Sequence, residues 1–479
     1  MEGKSVDLTA LSTFCEGQYD TSVIPSLMTY MGFQNQSRAY DELWETNGLL
    51  DQAANHIKLW VEGFGIKGLK TEVIKEKGLS PIIFTEIPGD LPVTIFYYGH
   101  FDKQPPFEGW REGLGPYTPV IVDGKLYGRG GADDGYSTYS TMISIKACQE
   151  QGIKLPRCVM ITEGDEESGS AHMFEYMKLL KERIGNPTML FCLDSGTLDY
   201  EGFWLTNALR GLVVATYTVE ILNEGVHSGV ASGIVPSSFR IIREMLERIE
   251  NVKTGEIIPE LQVDIPPLRY EEVYNTVQAL GKDALPFFPF VTGASSITSN
   301  PLTALINRGW KAQLAVVGAA DLPDAKTAGS VLRPRTTLKL SFRLPPTKPV
   351  EEAKKIIEKV LTTNVPYGAT AKIDFPAAAK GWSAPVYSTF LRDIIDSSVD
   401  AVFKKPKLAI AEGGSIPLMG LFSEMFPEAQ FVVTGVLGPE SNAHGPNEFL
   451  HIPYVKKLTT CMALILAKLS RHYEQTLTK

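Results

Sequence analysis

The sequence predicts an α/β protein whose main sheet consists of buried strands and whose chain also carries a smaller inserted α+β domain. Two hydrophobic patterns lead to this prediction. Four short apolar runs are typical of strands that are buried on both faces, and one strictly alternating run is typical of a strand with one solvated face. The chain has 479 residues, of which 44% are hydrophobic and 21% charged, so it is long enough for roughly two or three globular domains.

The four apolar runs are separated by longer segments, and we expect them to be strands of one sheet. They are, in chain order, Val93–Tyr98, Val159–Thr162, Met189–Leu193 and Phe431–Thr434. Between and after these runs, apolar residues recur at helical spacing. This spacing predicts a helix over Ala171–Arg183 and a long final helix over Tyr454–Leu477.

Residues 208–380 show a different pattern. Apolar and polar residues alternate along Thr337–Leu344, which predicts an antiparallel strand with one face in solvent. The elements that we predict in this segment are the strand Leu212–Leu222, the helix Pro236–Glu250, the strand Thr337–Leu344, the helix Val350–Leu361 and the strand Ala371–Phe375. They suggest the order β-α-β-β-α-β of a ferredoxin-like domain. We therefore predict a discontinuous first domain of residues 1–207 and 381–479, split by a second domain of residues 208–380.

The overall composition argues against several classes of protein. Acidic residues outnumber basic ones, and the formal net charge of −9 argues against a general nucleic-acid binder. The five cysteines are widely spaced and include no C-x-x-C pair, so we expect buried thiols rather than disulfides or a zinc knuckle. No segment is typical of a secretory signal or a membrane span, so we expect a cytoplasmic protein without a membrane partner.

Polar motifs follow each of the four predicted buried strands. His100 follows the first strand and Asp165–Glu167 follow the second. Asp194 follows the third strand, and His444 lies beyond the fourth. Ligands of open α/β sheets bind outside the carboxyl ends of the strands. The sequence therefore predicts one site at which these side chains converge.

The residue types at this site favour a metal centre. Several carboxylates held close together repel one another, and a divalent cation removes that penalty. Two imidazoles together with carboxylates suit zinc or a similar ion, whereas magnesium and calcium prefer all-oxygen sites. Asp102 is placed to orient the imidazole of His100 two residues earlier. Glu166 and Glu167 offer two adjacent carboxylates, one for a metal and one for proton transfer.

Six motifs taken together resemble those of a known family. The motifs GHFD, GRGGADD, EGDEESGS, LDSG, GVHSG and AHGPNE, in this order, are similar to those of metallopeptidase family 20. That family includes carnosinases and cytosolic dipeptidases, aminoacylase, carboxypeptidase G and succinyl-diaminopimelate desuccinylase. The resemblance covers nearly the whole chain. It implies a phosphorylase/hydrolase-like zinc-peptidase catalytic domain, with a mixed sheet flanked by helices, and an inserted ferredoxin-like lid and dimerisation domain.

The resemblance also implies two divalent metal ions per subunit, zinc in the first place and manganese or cobalt as alternatives. The implied metal ligands are His100, Asp133, Glu167, Asp194 and His444, with Asp133 bridging the two ions. Glu166 would be the general base that activates the bridging water and then the acid that protonates the leaving amine. Asp102, which orients His100, would be a further residue of the catalytic site. His227 would reach the active site of the partner subunit in a homodimer and stabilise the oxyanion. The implied substrate contacts are Arg343, which would bind a terminal carboxylate, Ser415 with Gly414, and Asn442.

One position departs from the family pattern. The family often has Lys-Gly soon after the bridging aspartate, whereas this chain continues from Asp133 with Asp134, Gly135 and Tyr136. The bridging ligand is retained, so the departure concerns local charge and substrate preference.

The leading interpretation is a dinuclear metal hydrolase that cleaves the amide bond of a dipeptide or a similar small substrate. The motifs EGDEESGS, GVHSGV, SFRLPP and EGGSIP favour the carnosinase-like dipeptidase branch. One alternative is an N-acyl-amino-acid deacylase or desuccinylase, which uses the same amide chemistry on the same fold. The other is a non-catalytic binding protein, which should have lost the base or a ligand, whereas Glu166 and all five implied ligands are present.

Overall fold

The computed structural model describes residues 6–285, 288–414 and 416–477, and the chain forms two compact units. The first unit comprises Met1–Thr206, Ala384–Ala409 and Leu421–Lys479, and the second comprises Asn207–Ser383 and Ile410–Gly420. The first unit carries the predicted metal ligands, and the second carries the segment with ferredoxin-like order. The roles of catalytic domain and lid, with boundaries at residues 207 and 381, stay predictions.

The α-helices of the described residues are numbered in chain order. They are α1 Leu8–Gln18, α2 Ile24–Met31, α3 Leu49–Gly63, α4 Tyr136–Glu150, α5 Met173–Ile184, α6 Ser228–Ala231, α7 Ser238–Glu247, α8 Pro267–Leu280, α9 Pro301–Trp310, α10 Val350–Thr362, α11 Thr389–Phe403, α12 Pro417–Met425 and α13 Ile452–Leu477.

The strands are numbered in the same way. They are β1 Lys70–Ile74, β2 Ile82–Ile87, β3 Leu91–His100, β4 Val120–Val122, β5 Lys125–Tyr127, β6 Pro156–Glu163, β7 Met189–Cys192, β8 Trp204–Leu209, β9 Gly211–Glu220, β10 Val226–His227, β11 Gln313–Ala320, β12 Val331–Leu332, β13 Arg335–Leu344, β14 Thr370–Ala379, β15 Trp382–Ser383, β16 Leu408–Glu412, β17 Gln430–Val433 and β18 Phe449–His451.

The central sheet of the first unit is mixed, and its strand order is β1-β2-β6-β3-β7-β17. The four strands β6, β3, β7 and β17 run parallel to one another, whereas β2 is antiparallel to β6 and β1 is antiparallel to β2. These four parallel strands contain the four apolar runs that the sequence identifies. The predicted fold class is therefore confirmed, and the carboxyl ends of four neighbouring strands lie along one edge of the sheet.

Helix α4 is buried on all sides although half of its residues are polar. Several of its hydroxyl groups find partners within the unit: Thr138 is hydrogen-bonded to Thr162 of β6, and Ser144 donates to the backbone oxygen of Thr459 in α13. Helix α13 supplies the apolar side of this layer with buried residues such as Leu458 and Ile465. Satisfied polar groups of this kind fix one arrangement of the core, which holds the start of α4 in place.

The second unit contains a four-stranded antiparallel sheet in the order β11-β13-β9-β14. Along the chain, β9, α7, β11, β13, α10 and β14 follow one another as β-α-β-β-α-β, which confirms the ferredoxin-like fold. The alternation along β13 also holds, since Leu338, Leu340, Phe342 and Leu344 are all buried. Strand β11 is the one strand of this sheet that the sequence analysis did not predict.

Two further observations concern the cysteines and the helices. All five cysteines are buried and none forms a disulfide. None of the helices in the described part of the chain is long and apolar enough to cross a bilayer.

Candidate metal centre

The side chains predicted to bind metal lie at the carboxyl edge of the central sheet. His100 is the last residue of β3, and Asp194 follows two residues after the end of β7. Glu167 lies in the turn that follows β6, and His444 lies in the loop between β17 and β18. Asp133 lies in the glycine-rich turn that leads into α4. The convergence expected from the order of strands and motifs is thus present in the structure.

A first cluster combines His100, Asp133 and Asp194, whose nearest ligand atoms all lie within 4.8 Å of one another. The Nε2 atom of His100 is 3.2 Å from Oδ1 of Asp133 and 3.9 Å from Oδ2 of Asp194. The imidazole is completely buried, and the two carboxylates are almost so. One nitrogen and two carboxylate oxygens therefore face a common point.

A second cluster combines Asp133, Glu167 and His444 in the same way. The Nε2 atom of His444 is 3.1 Å from Oδ2 of Asp133 and 3.2 Å from Oε2 of Glu167. The His444 side chain is 55% exposed, whereas that of Glu167 is 3% exposed. Asp133 directs one oxygen to each cluster, so it is the residue that the two clusters share.

Burial makes the carboxylates of this centre costly to ionise. Burial raises the pKa of the Glu167 carboxyl to about 7, and the negative charge of Asp133 adds to the effect. Burial likewise raises the pKa of the Asp194 carboxyl to about 6, although His100 opposes the shift. The pKa of Glu166 is raised well above its usual range by burial and by the charge of Asp194. Carboxyl groups in this state are stabilised in their ionised form by a divalent cation, so the donor set fits one.

For the two histidines, contacts with carboxylates outweigh burial, so their pKa values are raised in favour of the charged form. Burial by itself would lower the pKa of His444, but contacts with Asp133 and Glu167 raise that pKa to about 11. Burial also opposes the charged form of His100, but hydrogen bonds to Asp102 and Asp133 raise its pKa well above the usual range. Burial would raise the pKa of Asp133, whereas hydrogen bonds from His100 and His444 lower it. Cation binding must displace protons from both imidazoles, which ties affinity to pH.

Asp102 connects the first cluster to the turn that carries the two glutamates. One of its carboxylate oxygens accepts the backbone N–H of Glu166 at 3.1 Å, and the other accepts that of Glu167 at 3.0 Å. The first of these oxygens also lies 3.5 Å from Nδ1 of His100. Asp102 can therefore orient the imidazole and fix the turn at the same time, as partners of metal-binding histidines commonly do.

Four residues of the centre were missed by the sequence analysis. Gln104 donates its side-chain amide to Oε2 of Glu167, and Asp134 accepts the backbone N–H of His100 at 3.2 Å. Arg129 and Glu448 form a buried ion pair of 2.6 Å beneath the loops that carry Asp133 and His444. All four lie in or beside motifs that were noted, but their partners are remote in the sequence. Only the folded structure shows which polar groups they meet.

The roles of the remaining predicted residues stay predictions. His227 and Arg343 belong to the second unit, on strands β10 and β13. The Nδ1 atom of His227 accepts the backbone N–H of Gly229 at 3.0 Å, so in the neutral imidazole the proton is on the exposed Nε2. Asn442 lies in the His444 loop, where its amide donates to the backbone oxygen of Pro446. Ser415 lies outside the described residues.

Histidine nitrogens combined with carboxylate oxygens in a buried pocket form a donor set that suits zinc, manganese or cobalt. Each cluster supplies three protein ligands, which leaves coordination positions for water or a substrate oxygen. Sites of that kind are typical of metal hydrolases, whereas structural zinc sites are closed by four protein ligands. The geometry therefore indicates a catalytic metal centre rather than a structural one.

Comparisons with known proteins identify relatives of this chain. The chain is 24% identical over 409 residues to a cysteinylglycine-S-conjugate dipeptidase of Corynebacterium striatum, covering 83% of this chain and 85% of that protein. It is 25% identical over 382 residues to a human Beta-Ala-His dipeptidase, covering 77% and 74%. The solved structure of the di-peptidase Dug1p from Saccharomyces cerevisiae has a TM-score of 0.75 at 20% identity, covering 98% of this chain and 99% of that one. Residues 96–468 match the sequence model of peptidase family M20/M25/M40, so the chain belongs to this family.

Proposed function

We propose that the protein is a dinuclear metal-dependent dipeptidase that hydrolyses the amide bond of dipeptides or similar small substrates. The observation that carries the proposal is the pair of clusters that share Asp133, with Glu166 directly beside the Glu167 of the second cluster. The names of the relatives support the substrate class, since those proteins act on cysteinylglycine conjugates and on β-alanyl-histidine.

In this proposal, His100, Asp133 and Asp194 hold one divalent cation, and Asp133, Glu167 and His444 hold the other. Cations bound there supply Lewis acidity toward the scissile carbonyl and toward water. The surrounding residues keep the ligands in place: Asp102 and Asp134 fix His100, and Gln104 fixes Glu167.

Glu166 moves the proton. Its pKa, raised by burial and by Asp194, makes it a carboxylate that holds a proton more readily than an exposed glutamate does. A group of this kind can accept a proton from the attacking water and pass it to the leaving amine. Bound cations oppose this upward shift, so the working pKa of Glu166 in the loaded enzyme lies lower than in the cation-free protein.

Four further residues contact the substrate in this proposal. Arg343 binds the terminal carboxylate of the substrate, for which the planar guanidinium is suited. His227 donates from Nε2 to the oxyanion in the site of a partner subunit, which requires a homodimer. Asn442 and Ser415 are further substrate contacts, and the cytoplasmic location expected from the sequence is part of the same proposal.

The test is hydrolysis of a panel of substrates by chelator-treated protein that is reloaded with zinc, manganese or cobalt. The panel contains cysteinylglycine, β-alanyl-histidine and other dipeptides beside N-acetyl- and N-succinyl-amino acids. We expect cation-dependent cleavage of dipeptides, and its abolition in Asp133→Asn, which removes the shared ligand. The exposed Glu175→Gln serves as the control and should behave as the unaltered protein does.

Cleavage of N-acyl-amino acids alone would reassign the protein to the deacylases. Cation binding without cleavage of any substrate would overturn the hydrolase proposal and favour a binding protein.

A further inference from the structure

Two of the three ligand segments of the second cluster, those that carry Asp133 and His444, are joined by a buried ion pair that the proposed chemistry does not use. Nη1 of Arg129 lies 2.6 Å from Oε2 of Glu448, and the two side chains are 1% and 0% exposed. Arg129 precedes the turn that contains Asp133, and Glu448 follows the loop that contains His444. The pair therefore connects segments more than three hundred residues apart, directly beneath two of the proposed ligands.

Glu448 organises the backbone of the Asp133 turn. Its Oε1 atom accepts the backbone N–H of Gly130 at 3.0 Å, and those of Ala132 and Asp133 at 3.3 Å each. A carboxylate that accepts several backbone N–H groups fixes the course of a turn strongly, because charge-assisted hydrogen bonds are the stronger ones. The position of the Asp133 backbone is thus set by a side chain from the other loop.

Arg129 organises the His444 loop in return. Its Nη2 atom donates to the backbone oxygen of Gly445 at 2.7 Å, next to His444. In this loop, Asn442, His444 and Asn447 have φ values of 52°, 63° and 63°, in the left-handed region that most non-glycine residues avoid and that asparagine and histidine adopt more readily. Contacts with the surrounding structure help to hold three such residues in one loop, and the Arg129 contact lies at Gly445, directly after His444.

The positions of His100 and Asp194 do not depend on the Arg129–Glu448 pair in this way. His100 ends β3 and Asp194 lies two residues after β7, and these adjacent parallel strands are paired from Ile95 with Met189 to Tyr98 with Cys192. Their spacing is set by the backbone hydrogen bonds of the sheet. In contrast, the spacing between Asp133 and His444 is set by two loops and by the side chains that join them.

We propose that the Arg129–Glu448 pair is a positioning pair that sets the cation affinity of the Asp133–Glu167–His444 cluster. This inference rests on the proposed dinuclear centre. Loss of the pair lets the His444 loop relax, so that the second cation binds more weakly while the first retains His100 and Asp194. Partners that support metal ligands in this manner typically contribute about 10–100-fold to metal affinity.

The experiment is a titration of chelator-treated protein with Co²⁺, followed by calorimetry and by visible absorption. The variants are Glu448→Ala and Arg129→Met, which remove the pair, and Glu448→Gln and Arg129→Lys, which keep part of it. The matched control is Arg157→Met, since Arg157 pairs with Glu86 at 2.6 Å at the opposite end of β6.

The unaltered protein and the control should bind two Co²⁺ ions. We expect Glu448→Ala and Arg129→Met to weaken the second binding step by about 10–100-fold and to change the first by much less. The second-step affinity of Glu448→Gln should lie between those of the unaltered protein and Glu448→Ala, because the amide oxygen still accepts backbone N–H groups. A general loss of stability would not produce this partial rescue. If Glu448→Ala does not fold, the two conservative variants decide the question, since they preserve side-chain volume.

Unchanged second-step affinity in folded variants would overturn the positioning role, as would equal weakening of both steps. If the unaltered protein itself binds no Co²⁺, the dinuclear centre fails and the inference fails with it. If the unaltered protein binds two ions and all variants match it, only the positioning role fails and the proposed function stands.

Discussion

At the scale of single residues, the chemistry of the centre is governed by how burial changes the ionisation of its acids. Glu166 and Glu167 are neighbours in the chain, yet their surroundings differ. Glu167 contacts His444 and Gln104, whereas the pKa of Glu166 responds most to burial and to Asp194. In the proposed mechanism, this difference gives the role of metal ligand to Glu167 and the role of proton carrier to Glu166.

The first prediction concerns Glu166→Gln. The amide has nearly the same shape but cannot accept a proton, so kcat should fall by about 10²–10⁴-fold, the usual contribution of a positioned general base. Metal content, measured by elemental analysis, should stay at the value of the unaltered protein. Unchanged turnover in this variant would rule out Glu166 as the base.

The second prediction concerns pH. In the cation-free protein, the pKa values of Asp194 and Glu167 are raised to about 6 and about 7, above the values of about 3.9 and 4.3 in an unfolded chain. The folded state therefore binds protons at these two carboxyl groups more tightly than the unfolded state does. The resulting stabilisation of the folded state is lost as pH rises through about 6 and then about 7. A bound cation removes that loss, because it favours the ionised carboxylates.

We thus expect the increase in thermal unfolding midpoint caused by Zn²⁺ to grow as pH rises through this window. Unfolding scans with and without the cation, at a series of pH values, measure it. Asp133→Asn should show little increase at any pH. An increase that is the same on both sides of the window would contradict the linkage.

At the scale of elements, the carboxyl edge of the sheet brings the ligands together, and much of this was predictable. The four parallel strands are continuous apolar runs because both of their faces are covered, and polar motifs after each run indicate the functional edge. Helices α5, α7, α10 and α13 were also predicted from their spacing, with ends that differ by a few residues.

Other elements could not be predicted, for identifiable reasons. Strand β11 consists largely of small residues, is mostly exposed, and has a bulge between Val316 and Gly318, so no clear alternation marks it. The link between Arg129 and Glu448 joins distant segments, and sequence spacing holds no information on such a contact. The roles of His227 and Arg343 rest on the family resemblance and stay predictions.

The third prediction concerns Gly99 in β3, where the strand passes close to the start of α4. A Cβ atom there would meet Ser137 Oγ and lie 2.8 Å from Oδ2 of Asp134, the group that accepts the His100 N–H. Gly99→Ala should therefore cost about 1–3 kcal/mol of unfolding free energy through overpacking, and it should weaken cation binding by moving His100. Urea unfolding and Co²⁺ titration measure the two effects.

Gly17→Ala is the matched control, since a Cβ atom at Gly17 in α1 meets nothing within 4 Å. It should leave stability equal or raise it by about 0.5–1 kcal/mol, as alanine does within helices. Equal effects of the two substitutions would show that the approach of β3 to α4 is less tight than the structure indicates.

At the scale of the whole molecule, family membership is established, whereas assembly is a proposal. If His227 acts in the site of a partner subunit, each active site contains Glu166 from one chain and His227 from the other. Two chains that each lack one of these residues can therefore form one intact active site. The fourth prediction follows from this arrangement. His227→Ala and Glu166→Gln should each be nearly inactive, and mixing them under conditions of subunit exchange should restore part of the activity.

Rescue is expected because a mixed dimer contains one centre with both functional groups. Differently tagged chains and co-purification measure subunit exchange, and a dipeptide assay measures recovery. Full exchange without any recovery of activity would contradict the trans-acting histidine.

Because all five thiols are buried, an alkylating reagent and a chelator should act on different parts of the protein and report on different events. An alkylating reagent can reach the thiols of Cys15 or Cys461 only when the packed helices separate, so its rate of reaction reports on opening of the fold. A chelator, by contrast, acts at the carboxyl edge of the sheet. Inactivation by chelation with slow alkylation would distinguish an enzyme that has lost its cations from one that has lost its structure.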